Sequence, residues 1–464
     1  MSKLTRAAGR WVVGILVVAG GGDAFGQSCQ PAWDATIGQP GLTGVPYALA
    51  VFDDGTGPAL YVGGFFERAG GPTGIVVNNI AKWNGTQWSA LAQGVDSAVY
   101  ALAVYDDGTG SALYVGGSFQ SASGIGARNI AKWNGTTWSP VGGGMTDGLN
   151  VTALTVFDDS NGLALYAAGR FTTAGGVPAN RIARWNGTAW SALGSGLNNN
   201  ATALTATNVA SAVGPALYVG GNFTSAGGLN AYRIACWEGE LGWSVLGNGL
   251  NNNALALEIF NDGTGPALYA GGKFTLAGTV SANYIAKWNG TTWSTLGSGA
   301  NNGMNERVNA LAVFDDGTGG GAKLYAAGEF TTAGGAPIAC IARWNHQTQT
   351  WSALGDGSND EVQTLAVAPA GTPIGPSLYV GGFFTLVGDE LASRIAEWVG
   401  CIDVQPGDCD EDGDIDRNDY IRFQQCLTGP GAGPVPPTCD CVKFDGDTDV
   451  DLKDFAAFQI GFTG

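Results

Sequence analysis

The chain has 464 residues, of which 45% are hydrophobic, only 13% are charged and 77 are glycine, and its net charge is −18. Such a composition builds a core rather than a disordered chain, and the acidic balance excludes the basic face that nucleic acid requires. One histidine, His346, leaves little room for imidazole-based metal or acid–base chemistry.

At the N-terminus, Lys3, Arg6 and Arg10 precede an apolar run from Trp11 to Gly20, followed by Ala24-Phe25-Gly26. A charged start, a short apolar stretch and a small-x-small site predict a cleaved secretory signal over residues 1–26. The run is too short to cross a bilayer comfortably, and no membrane span is expected after cleavage. The protein is therefore expected to be secreted, extracellular or associated with the cell surface. In an oxidising compartment its eight cysteines become candidate disulfides. Cys236 and Cys340 sit at different positions of non-adjacent repeats and are expected to be free thiols.

Residues 27–401 repeat. "IAKWNGTQWSAL" at Ile80 returns in altered form at Ile130, Ile182, Ile234, Ile285 and Ile341, and is cut short at Ile395. The first tryptophan of each unit falls at 83, 133, 185, 237, 288, 344 and 398. A second phrase, "LYVGGFF" at Leu60, keeps step through all seven units. In the first unit, strand character covers Tyr47–Phe52, Ala59–Phe65, Asn79–Trp83 and Gln87–Leu91, separated by "DDGTGP", "AGGP" and "NG" turn signals. Asn84-Gly85 reads as a two-residue hairpin turn. Four short antiparallel strands at a period near fifty residues predict an all-β seven-bladed propeller. The periodic tryptophans are expected to pack between blades.

The Gly-Gly, Tyr and Trp arrangement resembles kelch repeats, and also the bacterial "VGGxFTxAGG…IARWNG" repeats similar to fungal cortical polarity-marker proteins. The resemblance spans roughly residues 30–400. It implies a propeller, an architecture that serves both enzymes and binding scaffolds.

The seventh unit stops at "IAEWVGC" without its fourth strand, while "CQPAWDATIG" at Cys29 looks like an orphan fourth strand with Trp33 in the place of Trp88. The N-terminal strand is expected to complete the last blade and leave no open edge. Cys29 and Cys401 then flank one hairpin position, which predicts a disulfide stapling the ring.

Groups that break the repeat are the candidates for function. Glu306-Arg307, Asp360-Glu361 and Asp389-Glu390 place charge where other units carry small or neutral residues, and paired carboxylates are the equipment of glycosidases. Loops between blades carry amide runs, Asn198, Asn199 and Asn200, then Asn251, Asn252 and Asn253, then Asn301 and Asn302. Grouped on one face, these amides are a candidate surface for a glycan or protein ligand.

Residues 402–464 hold −10 of the net charge. "DCDEDGDIDRND" matches a calcium loop, with Asp408, Asp410, Asp412, Asp414, Asp416 and Asp419 at the ligand positions and Gly413 at the sharp turn. A helix over Asn418–Leu427 should follow. A second, weaker loop offers Asp445, Asp447, Asp449, Asp451 and Asp454, with Lys443 replacing the first ligand and Thr448 the glycine. Paired loops of this kind resemble type I dockerin modules, small α, EF-hand-like domains. The resemblance implies calcium as cofactor, a cohesin-like module or cell-surface scaffold as partner, and Arg417, Asn418, Leu452 and Lys453 as partner-choosing positions. The pairing among Cys409, Cys426, Cys439 and Cys441 stays open. The expected function is a secreted, non-catalytic binding or scaffold propeller tethered through this module. The alternative is a polysaccharide-degrading hydrolase or lyase carried by the same tail.

Overall fold

Each unit of the repeat folds into one four-stranded antiparallel sheet, and seven such sheets stand around a common axis. The computed structural model describes residues 30–207, 215–401 and 417–427, together with Val450 and Phe455. The second blade shows the pattern. Its inner strand Val99–Asp106 pairs with Ser111–Gly117, then Ile130–Trp133, then Trp138–Pro140 at the rim. β-Branched and aromatic residues fill these strands, and Asp-Asp-Gly and Asn-Gly segments turn them. Each inner strand packs on the next, and Val362–Ala368 of the seventh blade packs on Val45–Asp53 of the first. The ring is closed.

The seventh blade takes its outer strand from the chain's beginning. Ala32–Asp34 pairs antiparallel with Ile395–Val399, with Trp33 opposite Trp398. Trp33 also reproduces a bond between blades. In the second to fifth blades the outer-strand indole donates to a carbonyl of the preceding blade, as Trp138 Nε1 does to Leu91 O at 3.0 Å and Trp243 Nε1 to Leu193 O at 2.9 Å. Trp33 Nε1 does the same to Leu354 O at 2.8 Å, across 321 residues of chain. Cys401 is disulfide-bonded. Cys29 lies outside the described residues. Cys236 and Cys340 are free and buried.

The core is a set of seven clusters, each shared by two neighbouring blades. Tyr61, Ile80 and Leu91 of the first blade, for instance, pack with Phe119, Trp133 and Trp138 of the second. The second glycine of the "VGG" phrase is glycine in all seven blades for a steric reason. A Cβ on Gly117 would lie 2.1 Å from Ala98 O, and the same contact recurs from Gly64 to Val45 O at 2.2 Å and from Gly328 to Arg307 O at 2.0 Å. The inner strand bulges there, between Val99 and Ala101, and brings its backbone against the neighbouring strand.

Two local features differ from the sequence expectation. The Asn84-Gly85 turn is a four-residue connection, because Trp83 pairs with Trp88. Only Gly85 has positive φ, and Asn84 Oδ1 accepts from Thr86 N and Gln87 N at 3.0 and 2.9 Å. The asparagine folds the turn through its side chain rather than its backbone. The "AGG" segments are also more than turns: each blade carries a two-stranded ribbon between its second and third strands, such as Ser121–Ala122 with Ile125–Gly126.

In the tail, a helix runs over Arg417–Cys426, within a residue of the expected bounds. Phe423 is buried and packs on Phe455, ring centroids 5.4 Å apart. Among the described residues no helix is long and apolar enough to cross a membrane.

The closure yields a direct expectation. Trp33→Ala removes an inter-blade hydrogen bond and an edge-on contact with Trp398 at 5.2 Å, so unfolding should cost about 3 kcal/mol less. Chemical denaturation measures it, and an unchanged midpoint would show that the N-terminal strand does not hold the ring.

Candidate functional site

Two faces flank the channel, and the repeat assigns them different chemistry. The lower face carries the turns from first to second strand and from third to fourth. There, the first aspartate of each "DDG" turn folds the turn itself: Asp53 Oδ1 accepts from Gly55 N and Gly57 N at 2.8 and 3.0 Å. The second aspartate does something the sequence reading missed. Asp54 accepts from Tyr61 Oη at 2.7 Å, Thr56 Oγ1 at 2.6 Å and Lys82 Nζ at 2.6 Å. The same cluster forms at Asp107 with Tyr114 and Lys132, and at Asp262 with Tyr269 and Lys287. Asp159 pairs with Arg184, and Asp316 with Lys323 and Arg343. Burial alone would raise these carboxyls, but the bonds from lysine, threonine and tyrosine hold Asp54, Asp107 and Asp262 down at about 2, and Asp316 lower still. These clusters are struts. Their signal was present in the repeat: the fourth and seventh blades lack the aspartate, and they also lack the lysine or arginine, carrying Cys236 and Glu397 instead.

The upper face carries the ribbons and the loops from one blade to the next. The sequence singled out its amides, and the structure sorts them. Asn198 Oδ1 accepts from Thr224 N and Ser225 N at 2.9 and 3.0 Å, clasping the loop to the ribbon. Asn251 does the same with Thr275 and Leu276. Asn199 and Asn252 each accept from the next residue's N–H. Asn302 is buried and bonded to Ser281 O and Asn283 N, and the Asn301 side chain sits over Gly335. Asn200 and Asn253 remain half-buried at the mouth of the channel.

The repeat-breaking charges are also brought together in part. Glu361 Oε1 accepts from Arg307 Nη2 at 2.6 Å and from Asn309 Nδ2 at 2.7 Å, joining the sixth and seventh blades. Glu329 Oε2 lies 3.1 Å from the same guanidinium. Asp360 folds back on Glu361 N, and Glu390 Oε2 accepts from Ala35 N at 3.2 Å beside the closing strand. Glu306 has no part in this cluster beyond its charge near Arg307. Beside it, the rings of Tyr47 and Tyr100 meet at a tilt of 40°, centroids 5.6 Å apart. Burial, then Tyr100 and Glu361, raise the Tyr47 hydroxyl above its ordinary range.

A third feature escaped the sequence reading. Glu258 lies mid-strand in the fifth blade's inner strand, where the other blades place alanine or threonine, as at Ala50, Ala103 and Thr205. Its Oε1 accepts from its own strand, Ile259 N at 3.1 Å. Burial pushes its carboxyl up to about 7, against a small opposing pull from that N–H.

Of the predicted calcium ligands, only Asp419 falls within the described residues, in the first turn of the tail helix with Arg417 and Asn418. Asp408, Asp410, Asp412, Asp414 and Asp416, the second-loop positions Lys443, Asp445, Asp447, Asp449, Asp451 and Asp454, and Leu452 and Lys453 lie outside them.

The fold and the two faces define the class: an all-β propeller of seven four-stranded antiparallel blades. No protein-family model matches the chain, and no curated protein matches it. Among solved structures, the computationally designed Ika8 protein is similar over 77% of this chain and 97% of its own, at 16% identity and a TM-score of 0.42. A likeness at that level carries no argument about function.

The titrating groups fix a pH profile. The carboxyls of Asp54, Asp107, Asp262 and Asp316 lie below their unfolded value of about 3.8, so their contribution is full above pH 4 and lost as pH falls toward 2. Glu258 is raised from 4.5 to about 7, so it favours the folded state at low pH and loses that contribution as pH rises across this interval. Denaturation midpoints should therefore peak between pH 4 and 5. Glu258→Gln should abolish the decline from pH 4.5 to 7 and leave the acid limb intact; an unaltered decline would contradict this assignment.

Proposed function

We propose that the protein is a secreted, non-catalytic binding propeller, presented through a calcium-dependent, dockerin-like tail. One observation carries the non-catalytic half: two of the carboxylates that break the repeat, Glu361 and Glu390, are engaged in holding the ring. Glu361 ties two blades through Arg307 and Asn309, and Glu390 holds the closing strand. A glycosidase needs one carboxyl kept protonated and a second facing it across a substrate; Glu258 is raised to about 7, but the equivalent positions of the other blades, Ala50, Ala103, Thr155, Thr205, Ala312 and Ala366, supply no second carboxylate at its level. What varies freely at the upper mouth is amide and aromatic, which suits binding.

The tail half rests on the donor set. Six aspartates at calcium-loop spacing supply the hard oxygens that calcium takes. The helix that begins at Arg417, and the contact of Phe423 with Phe455 across the Pro/Gly linker, support two half-modules packed together. The partner is a cohesin-like module or a cell-surface scaffold, met through Arg417, Asn418, Leu452 and Lys453.

Calorimetry of the full chain with calcium should find one tight site, lost in Asp408→Ala. Two equal sites would overturn the reading of Lys443 as a blocking residue. A hydrolysis screen on polysaccharides should find no turnover; turnover that disappears when Glu361 or another loop acid is replaced would make the protein an enzyme.

A further inference from the structure

The seven blades are near copies, so a binding site for anything smaller than the whole face must lie where the copies differ. The inner-strand bulge at the upper mouth is such a place. In the third and fourth blades it holds Thr152 and Thr202, whose hydroxyls donate to Ala201 O and Ala254 O of the next blade at 2.7 and 2.6 Å. In the sixth it holds Asn309, whose amide donates to Val362 O at 2.9 Å. The structural duty of the position is therefore plain: it bonds one blade to the next. The first two blades give that bond up and place Tyr47 and Tyr100 there, half-buried, their rings in contact at 5.6 Å and tilted by 40°.

Phe65 adds to this aromatic side. It ends the first blade's second strand and is 63% exposed. Side chains alternate along a strand, so Phe65 leaves on the same side as Gly63, whose Cβ position faces Val99 of the second blade. That is the side on which Tyr100 stands. Phe65 thus exposes its ring toward the second blade, and water is a poor neighbour for it.

One residue above the bulge strand, the ring differs again. Asn150, Asn200 and Asn253 occupy equivalent places in three consecutive blades, each supplying the carbonyl that faces the invariant glycine. The Asn200 and Asn253 backbones are fixed by bonds to Asn222 N and Lys273 N, and both side chains are half-buried. The sixth and seventh blades put Arg307 and Glu361 at the same place, mutually paired. The mouth thus has an aromatic arc, an amide arc and a neutralised ion pair between them.

We propose that the upper mouth of the channel is a glycan site, in which Tyr47, Phe65 and Tyr100 meet the apolar face of a sugar and Asn200, Asn253 and the Arg307–Glu361 pair meet its hydroxyls. This inference rests on the binding-propeller reading and assigns it a ligand class and a place. A sugar ring offers C–H bonds on its faces and hydroxyls around its edge. Aromatic rings match the first through dispersion and desolvation. Amides, with two donors and an acceptor each, match the second. Because Arg307 is already neutralised, the pair presents donors and acceptors without a strong demand for a counter-ion.

The test is calorimetry of the full-length secreted protein against hexamers of glucan, xylan, chitin and galacturonan, the last separating acidic from neutral sugars. At least one hexamer should bind. Phe65→Ala and Tyr100→Ala should each weaken it by about tenfold or more, and Asn200→Ala should weaken it too. Thr86→Ala, in a lower-face turn, should leave it unchanged. Phe65 is exposed, so its replacement keeps the melting temperature and serves if Tyr100→Ala fails to fold. Binding that ignores all three upper-mouth variants, or no binding of any hexamer, overturns the glycan site while the non-catalytic propeller stands. A protein ligand captured through the same residues, with no hexamer bound, overturns the ligand class. Hydrolysis of a hexamer would instead sink the non-catalytic reading, and the glycan site then stands if the three upper-mouth variants weaken binding and falls if they do not.

Discussion

A ring of sheets is stable only if its last gap closes, and here that closure depends on three residues from the far end of the chain. Ala32–Asp34 supplies the seventh blade with the outer strand its own sequence lacks. The substitution is chemically faithful. Trp33 stands where the other blades place their outer tryptophan, meets Trp398 as they meet theirs, and donates the same inter-blade hydrogen bond. Without it the seventh blade would present an unpaired edge, and the bond it makes to the sixth blade would be lost. Every other feature of the molecule, including a channel with two distinct mouths, presupposes that the circle is complete.

Repetition makes the protein its own control. Where seven equivalent positions agree, a packing or backbone reason is usually at hand, as for the glycine that meets the bulged strand's carbonyl. Where they vary together, they mark a linked set: aspartate and its lysine or arginine are present in five blades and jointly absent from the fourth and seventh. The residue before each "IAxW" strand is left-handed in all seven blades. Asn79 and Asn129 adopt that conformation readily, whereas Arg181, Arg233, Tyr284, Cys340 and Arg394 do so at a cost. The ring imposes the conformation, and the side chain is free to vary around it. Positions that vary without such a partner, chiefly at the upper mouth, are the ones left for function.

Much of this was legible in the residues alone. The blade count, the strand order and the borrowed closing strand follow from periodic tryptophans and one truncated unit, because period and strand length are sequence properties. The turn at Asn84 was misjudged because an Asx-bonded loop and a two-residue hairpin share the same Asn-Gly spelling. The role of Asn198 and Asn251 was hidden for a different reason: whether an amide faces a ligand or clasps a ribbon depends on where a segment some 25 residues away is brought. Glu258 was passed over because a single carboxylate in an apolar strand looks like surface until the ring leaves it half-buried among its neighbours. For the amides and Glu258 the missing information was the curvature of the ring.

The central claim, that the N-terminal strand completes a cooperative ring, is tested most directly by native-state hydrogen exchange on the full-length protein. The account predicts that amides of Ile395–Val399 exchange as slowly as those of Ile130–Trp133, which sit at the same place in a blade built from continuous chain. Exchange of the seventh blade's strand far faster than its counterpart in the second would mean that the circle opens where head meets tail, and would contradict the account.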